Sequence, residues 1–334
     1  MSEQEKATPT IYDIAKKAGV NPSTVSRALS TPGRLNEKTE ARIRKAAEEL
    51  NYQANPFARA LPTGKTKMIG LVISDITNPV FFDAVRGAES IAAEHGYTLV
   101  LAESQESSEV EMQVVNRILP AVDGLIMVTT RLSDENIKKV GQRKPVVLMN
   151  RQVPGISNVV PDIKPGINDA LEHLEELGHQ RLVFLGGPRN SWMSNRRWTL
   201  LMKGAVKRGM TIVEIGPNVP TLEGGRQTVE RVMASGATAV IAYNDLMAIG
   251  LLRALKEKKV QVPLDLSLIG FDNIFGSDFT SPSITTVEMP LASVGDEAVR
   301  ALLMQFNETE DDEYLGNTLE TRLLVRDSTG KVKQ

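Results

Sequence analysis

The chain has 334 residues, of which 41% are hydrophobic and 24% charged, a composition typical of a soluble protein with two or three domains. It contains no cysteine and only three histidines, which excludes disulfides, thiolate metal sites and cysteine nucleophiles and argues against a histidine metal site. Residues 1–65 hold 11 Lys and Arg against 7 Asp and Glu, whereas residues 66–334 hold 28 against 34. This asymmetry is expected if only the first segment contacts nucleic-acid phosphate.

The first ten residues, MSEQEKATPT, lack the apolar stretch and the small-residue cleavage pattern of a signal peptide. No apolar run reaches the length needed to span a membrane. We therefore expect a cytoplasmic protein.

The first 50 residues predict three short helices and no strand. Residues 11–18 place Ile11, Ile14, Ala15 and Ala18 on one face at helical spacing. Asn21 is a candidate N-cap for a second helix, because Pro22 follows it at the position where a missing N–H costs nothing. A third helix follows Asn36 and has its apolar face on Ile43, Ala46, Ala47 and Leu50.

The first two helices have the spacing of a helix-turn-helix unit. Ala15 is small enough for close approach, and Gly19 lies at the turn, where a left-handed conformation favours glycine. The second helix exposes Pro22, Ser23, Ser26 and Arg27. Side chains at the start of such a helix reach base edges in the major groove, where arginine bonds guanine bidentately. A plain helical hairpin is the alternative that this spacing leaves open.

From residue 68 onward, apolar runs alternate with amphipathic stretches. The runs are MIGLVIS, YTLVLAE, GLIMVTT, PVVLMN, RLVFLGG, AVIAYN and LSLIGFD. Continuous apolar strands separated by helices indicate parallel sheets that are covered on both faces. Seven strand–helix units are more than we expect in one sheet. We therefore interpret residues 157–166 as a crossover between two doubly wound α/β lobes with a cleft between them.

The predicted organisation therefore begins with an all-α headpiece and continues into a two-lobed core. Its segments are a headpiece of 1–52, a hinge helix and linker of 53–67, a core of 68–326 and a tail of 327–334. Within the core we expect an N-lobe of about 68–160 plus 290–306 and a C-lobe of about 163–288 plus 316–326.

The motifs resemble those of the LacI/GalR (lactose repressor) family along nearly the whole chain. They include TIYDIAKKAGVNPSTVSRAL, NPFARAL, IGLVISDITNPVFF, LGHQRLVFLGG, YNDLMAIGLL, VPLDLSLIGFDN and PSITTVEMP. The resemblance implies a transcriptional repressor with a core like periplasmic sugar-binding proteins, no cofactor, no metal and no catalytic residues. It further implies a homodimer on palindromic operator DNA, away from membranes.

The resemblance also assigns roles in DNA binding. Base contacts would come from Pro22, Ser23 and Arg27, and backbone contacts from Thr10, Tyr12, Ser26, Tyr52 and Asn55. Leu61 matches the leucine that a hinge helix wedges into the minor groove, which selects deformable base steps. A linker leucine packed on the core is the alternative. Pro62 departs from the basic residue common after that leucine, so one phosphate contact is absent.

For the effector, the resemblance implies an inter-lobe site. Its residues would be Val80, Phe81, Asn150, Trp192, Arg197, Asn244 and Asp272. The structural alternatives are a turn cap for Asp272 and a helix cap for Asn244 or Asp245. Trp192 or Trp198 could stack on a sugar face, and a helix anchor is the alternative for Trp198. Arg196, beside Arg197, favours an acidic sugar or a phosphate unless it faces solvent. We expect a carbohydrate or sugar acid.

The same residues bear on three other function classes. An enzyme is disfavoured, because GKT at 64–66 lacks the leading glycine of a phosphate-binding loop and the chain has no GxSxG or HExxH motif. A solute-binding receptor would share the core architecture but would need an export signal. A transcriptional activator stays open, because operator position decides between activation and repression.

Overall fold

The computed structural model describes residues 9–30, 33–52, 64–307 and 319–333. The chain divides into two compact units, Met1–Lys67 and Met68–Gln334. The predicted hinge residues Asn55 and Leu61 lie outside the described residues. None of the helices within the described ranges is both long and apolar enough to span a membrane.

The first unit contains three helices, α1 (Ile11–Ala18), α2 (Pro22–Ser30) and α3 (Glu37–Glu49). Helix α1 begins where the Asp13 carboxylate accepts hydrogen bonds from the backbone N–H and the hydroxyl of Thr10, both at 2.8 Å. It ends at Gly19, which has a left-handed φ of 63°. The Asn36 side chain caps α3 by accepting from the Lys38 N–H at 3.0 Å. The left-handed Gly19 confirms the predicted turn, and the Asn36 cap explains why the third helix begins directly after Asn36.

The headpiece core forms where the three helices meet. Ile14, Val25 and Ile43 are completely buried there, one from each helix. Ala15 and Ala18 of α1 and Ala46 and Ala47 of α3 complete the buried cluster together with Ala28. The apolar faces predicted from helical spacing are therefore the ones that the headpiece buries.

The second unit contains two separate sheets. The first has five parallel strands in the order β2-β1-β3-β4-β5. They are β1 (Met68–Ile73), β2 (Thr98–Glu103), β3 (Gly124–Val128), β4 (Val146–Met149) and β5 (Ser157–Val159). Its central strands are buried almost throughout, as expected for a parallel sheet that is covered on both faces.

The second sheet has six strands in the order β11-β10-β9-β8-β6-β7, and only the β10–β11 pair is antiparallel. The strands are β6 (Arg181–Leu185), β7 (Thr211–Ile215), β8 (Ala239–Ala242), β9 (Ser267–Asp272), β10 (Thr285–Glu288) and β11 (Arg322–Leu324). The two sheets confirm the predicted fold class of two parallel-sheet lobes.

Helices connect and cover the strands. They are α4 (Val80–Glu94), α5 (Ser108–Ile118), α6 (Asp134–Gly141), α7 (Lys164–Glu176), α8 (Trp192–Lys207), α9 (Leu222–Arg226), α10 (Val229–Ala234), α11 (Asp245–Glu257) and α12 (Leu291–Asn307). Helix α12 follows β10 of the second sheet but packs on α4 of the first lobe, and β11 then belongs to the second sheet. The chain therefore passes between the lobes three times.

Four of the eleven described strands, β5, β7, β10 and β11, were not among the seven predicted runs. Strand β7 lies at an edge of its sheet, and Thr211, Val213 and Glu214 are exposed, so it lacks a continuous apolar run. Strand β5 is a three-residue edge strand inside the segment interpreted as a crossover. The chain adds this strand to the first sheet before it crosses to the second lobe.

Candidate DNA-binding surface and effector cleft

The predicted DNA-contacting residues lie on the outside of the headpiece. On α2, Ser23 and Arg27 are exposed, while Val25 and Ala28 point into the core. Arg27 makes no ion pair within the described headpiece. Pro22 and Ser26 are half-buried at the margin of the same face. Helix α2 thus presents a small polar surface with one available guanidinium group.

The predicted backbone-contacting residues have more varied environments. Tyr12 on α1 is 68% exposed. Tyr52 is half-buried and packs against the headpiece core. Thr10 is exposed, and its hydroxyl and N–H both donate to Asp13. These hydrogen bonds hold the carboxylate and lower the pKa of Asp13 below its ordinary value, the backbone N–H of Thr10 contributing most.

A cleft of about 570 Å³ lies within the second unit and is lined by both lobes. Its walls include Ser74 and Asn150, which follow strands β1 and β4 of the first sheet. From the second sheet come Tyr243, which follows β8, and Asp272, which ends β9. The carboxyl ends of parallel strands are where α/β sheets bind ligands, and small-molecule sites occur preferentially between domains or lobes.

Arg197 of α8 forms most of the polar wall on the second lobe. Its side chain is 3% exposed, and its Nη2 donates to the Asp272 carboxylate at 2.7 Å. Its Nη1 donates to the Tyr243 carbonyl. The guanidinium carbon lies 4.2 Å from the Phe271 ring centroid, and this contact adds a cation–π interaction. The Nε atom is buried and has no partner among the described residues, so one donor stays free.

Asn150 contributes a free acceptor from the first lobe. Its backbone is left-handed, with φ of 59°, a conformation that asparagine tolerates better than most residues. Its N–H donates to the Val159 carbonyl at 3.1 Å. Its side-chain Oδ1 is buried without a hydrogen-bond partner in the described part of the chain. The cleft therefore combines an unused acceptor on one wall with an unused donor on the other.

Val80 and Phe81 lie in the first turn of α4 and supply apolar surface to the cleft. The Asn78 side chain accepts from the Val80 N–H at 3.1 Å and so fixes the start of this helix. Phe81 is 5% exposed. Both predicted apolar residues are thus brought to the same cavity as Asn150 and Arg197.

Asn244 lines the cleft, but its side chain is used as a helix cap. Its Oδ1 accepts from the Met247 N–H at 2.9 Å, and its Nδ2 donates to the Pro220 carbonyl at 3.0 Å. The neighbouring Asp245 is completely buried and does not line the cleft. These contacts favour the capping interpretation of Asn244.

Asp245 is held by the Thr286 hydroxyl, which donates to Oδ1 at 2.7 Å, and by the Ile274 N–H, which donates to Oδ2 at 2.9 Å. Burial, and then the charge of Asp272, raise the pKa of Asp245 to about 8. These contacts support a structural role for Asp245 and not a role in effector binding.

Trp192 is the one predicted effector residue in the described part of the chain that is not among the residues lining the cleft. It occupies the first position of α8, five residues before Arg197, which turns it by about 140° around the helix. Its ring lies 5.5 Å from the guanidinium of Arg196, which is also outside the lining. Trp198 stacks on Phe184 with a centroid distance of 6.1 Å. Both tryptophans anchor the helix.

Arg131 and Glu106 line the cleft but were missed in the sequence. The side chain of Arg131 is 3% exposed, and its Nη2 and Nε lie 2.6 and 2.7 Å from one Glu106 carboxylate oxygen. Gln105 and Glu106 are consecutive left-handed residues, with φ of 52° and 57°. This ion pair joins two loops of the first lobe, and no local sequence motif indicates it.

Comparisons with known proteins agree with both parts of the molecule. A family model described as bacterial regulatory proteins, lacI family, matches residues 10–55, and one for a periplasmic binding protein-like domain matches residues 171–329. The HTH-type transcriptional repressor CytR of Escherichia coli (strain K12) is 30% identical over 339 residues, which cover 98% of each chain. The chain belongs to the lacI family.

Other members of the lacI family are similarly related. The ribose operon repressor of Halalkalibacterium halodurans is 31% identical over 96% of this chain and 97% of its own length. The crystal structure of the lac repressor dimer bound to operator and the anti-inducer ONPF superposes with a TM-score of 0.85 at 27% identity, covering 97% and 99% of the two chains. The chain is thus a DNA-binding transcriptional repressor with an effector-binding core, as predicted.

Proposed function

We propose that this lacI-family repressor binds a palindromic operator as a homodimer and that a carbohydrate-class effector in the inter-lobe cleft controls this binding. The observation that carries the proposal is the presence, in one chain, of an exposed α2 face and a polar cleft at the carboxyl ends of both sheets. The protein acts in the cytoplasm, where its operator lies, and performs no catalysis.

Direct readout of the operator falls to Ser23 and Arg27, with Pro22 at the margin of the same face. Contacts to the phosphate backbone set the register of the headpiece on the DNA without reading the base sequence. We assign these contacts to Thr10, Tyr12, Ser26 and Tyr52. Asn55 is proposed to add a further backbone contact, and Leu61 is proposed to wedge into the minor groove.

The homodimer is supported by symmetry and by an exposed aromatic pair. One recognition helix reads only half of a palindrome. Phe275 and Phe279 are 73% and 70% exposed and contact each other edge to face, with ring centroids 5.0 Å apart. Exposed apolar surface of this kind marks an interaction site. The lac repressor in the similar crystal structure is also a dimer.

Effector binding is proposed to use Arg197, Asp272 and Asn150 as polar contacts, with Val80 and Phe81 as apolar walls. Because the cleft lies between lobes, a ligand that prefers one lobe arrangement shifts the population towards it. The structure of the similar regulator CelR, with a TM-score of 0.70, contains cellobiose. A carbohydrate therefore suits this cleft better than an apolar effector.

The test is fluorescence anisotropy of the full-length protein on palindromic duplexes with a central CpG step, compared with a scrambled duplex. Two salt concentrations separate specific binding from phosphate attraction, because phosphate contacts make affinity depend on salt. Tighter binding to one palindrome, with one dimer per duplex and a response to a sugar, supports the proposal. Equal, salt-sensitive binding to every duplex, unchanged by any sugar, would overturn it.

A further inference from the structure

The cleft contains two arginine–carboxylate pairs, one on each wall. Arg197 pairs with Asp272 at 2.7 Å on the second lobe, and Arg131 pairs with Glu106 at 2.6 Å on the first. These four are the only charged residues among those that line the cleft in the described part of the chain. The lining is therefore electrically balanced, with two positive and two negative groups.

Neither arginine is left as a free cation. Arg131 also donates through Nη1 to the Thr129 carbonyl at 2.9 Å, and its backbone N–H donates to the buried carboxyl group of Glu111 at 2.7 Å. On the opposite wall, Arg197 donates to the Asp272 carboxylate and to the Tyr243 carbonyl. Arg196 is not among the residues that line the cleft.

This balance has a consequence for ligands that carry charge. A phosphate or carboxylate placed in the cleft would lose hydration without gaining an unpaired cation, and it would face carboxylates on both walls. Burying a charge without a compensating partner is strongly unfavourable. An uncharged ligand avoids this cost.

The unused hydrogen-bonding atoms indicate which uncharged group fits. Asn150 and Arg197 both line the cleft, and each has one buried polar atom without a hydrogen-bond partner in the described residues, the acceptor Oδ1 of Asn150 and the donor Nε of Arg197. A hydroxyl group both donates and accepts, so hydroxyl groups satisfy both kinds of atom. An anionic oxygen only accepts, so it could pair with Arg197 Nε but not with Asn150 Oδ1.

We propose that the Arg131–Glu106 pair determines the charge class of the effector, so that the cleft accepts an uncharged, hydroxyl-bearing molecule and rejects sugar phosphates and sugar acids. This inference rests on the proposed effector role of the cleft and narrows it. Glu106 is the specificity-determining residue, because its carboxylate neutralises Arg131. Its side chain is 24% exposed, so it is more accessible than Asp272.

The experiment compares the full-length wild type with Glu106→Gln, which keeps the side-chain shape and removes the compensating charge. Inorganic phosphate is titrated by calorimetry and by thermal shift, with ionic strength held constant by chloride. We expect Glu106→Gln to bind phosphate about tenfold more tightly than the wild type, the equivalent of one charge-assisted hydrogen bond. Glu109→Gln is the matched control, because it removes an exposed carboxylate outside the cleft lining.

The double variant Glu106→Gln/Arg131→Met should lose the gain in phosphate binding, since the uncovered cation is removed. No gain in Glu106→Gln, or an equal gain in Glu109→Gln, would overturn the inference. If Glu106→Gln does not fold, the affinities of the wild type for neutral sugars and for the 6-phosphates of the same sugars are compared instead. Tighter binding of the sugar phosphates than of the neutral sugars contradicts the inference. An operator affinity that changes with neither kind of sugar contradicts the proposed function instead.

Discussion

Arg27 is exposed on the recognition face of α2 and has no ion-pair partner in the described headpiece, so its guanidinium is available to DNA. Replacing it by alanine removes a side chain suited to bidentate bonding of guanine. We expect Arg27→Ala to weaken operator binding by about 1–3 kcal/mol and to change binding to scrambled DNA much less. Anisotropy titrations on both duplexes at one salt concentration measure the difference.

Arg42→Ala is the matched control for Arg27→Ala, because Arg42 is an exposed arginine on α3 of the same headpiece. It should leave the ratio of operator to scrambled affinity close to that of the wild type. An equal loss on the two duplexes for Arg27→Ala would mean that Arg27 contacts only phosphate.

Asp245 is a buried acid whose pKa in the folded protein is raised to about 8. Between its unfolded pKa near 3.8 and about 8, the folded state keeps a proton that the unfolded state has lost. The free energy of unfolding therefore falls as pH rises through this window, by at most about 1.4 kcal/mol per pH unit from this group. Asp245→Asn removes the titration, so denaturant unfolding at pH 6 and pH 8 should show a weaker loss of stability.

Asparagine suits this site because its Nδ2 can donate to the Thr286 hydroxyl while its Oδ1 accepts from the Ile274 N–H. Asp83→Asn, on an exposed part of α4, is the control and should keep the pH dependence of the wild type. A variant Asp245→Asn with an undiminished pH slope would show that other groups cause it.

The residues of the cleft differ in how far the sequence could identify them. Arg197, Asp272 and Asn150 follow motifs of a known family, and all three line the cleft. Arg131 and Glu106 could not be identified, because their pairing depends on how two loops of the first lobe meet. Trp192 does not line the cleft with Arg197, because proximity in the sequence does not mean a shared helix face.

At the scale of elements, the sequence predicted all the buried central strands of the first sheet but missed the edge strands β5 and β7. Central strands such as β3 and β9 are entirely buried, so hydrophobicity alone identifies them. Strand β7 is mostly exposed, and its pairing with β6 is fixed by backbone hydrogen bonds that no side-chain pattern reports. The three headpiece helices were predicted because caps, a glycine turn and apolar spacing agree there.

Helices α4 and α12 approach so closely that two glycines are required. A Cβ atom at Gly87 would lie 2.0 Å from the Ala292 carbonyl oxygen, and one at Gly295 would lie 2.0 Å from that of Ala84. Gly87→Ala must push the helix backbones apart, so we expect it to lower the free energy of unfolding by about 1–3 kcal/mol. Urea unfolding followed by circular dichroism measures this change.

The control for Gly87→Ala is Gly141→Ala near the end of α6. The Cβ atom there would meet only the flexible end of the Ile156 side chain, at 2.9 Å. That substitution should cost little, because the side chain can move. If both variants were equally stable, the close approach of α4 and α12 would not depend on glycine.

At the scale of the whole molecule, the proposed function needs two copies of the chain. Each copy supplies one recognition helix, and a palindrome is read only when both are held together. Linking two binding modules raises affinity by about 10²–10⁴ without any new contact. The exposed pair of Phe275 and Phe279 is the surface to which we assign this link.

Phe275→Asp/Phe279→Asp introduces two carboxylates into that surface, so burying it against a second copy becomes unfavourable. We expect the double variant to be a monomer by light scattering and to bind the operator at least about 100-fold more weakly, at half the stoichiometry. Val206→Asp/Val213→Asp, on other exposed apolar positions of the same lobe, is the matched control and should remain dimeric. A Phe275→Asp/Phe279→Asp variant that stays dimeric would move the subunit interface elsewhere, whereas a monomer with unchanged operator affinity would show that the headpieces bind independently.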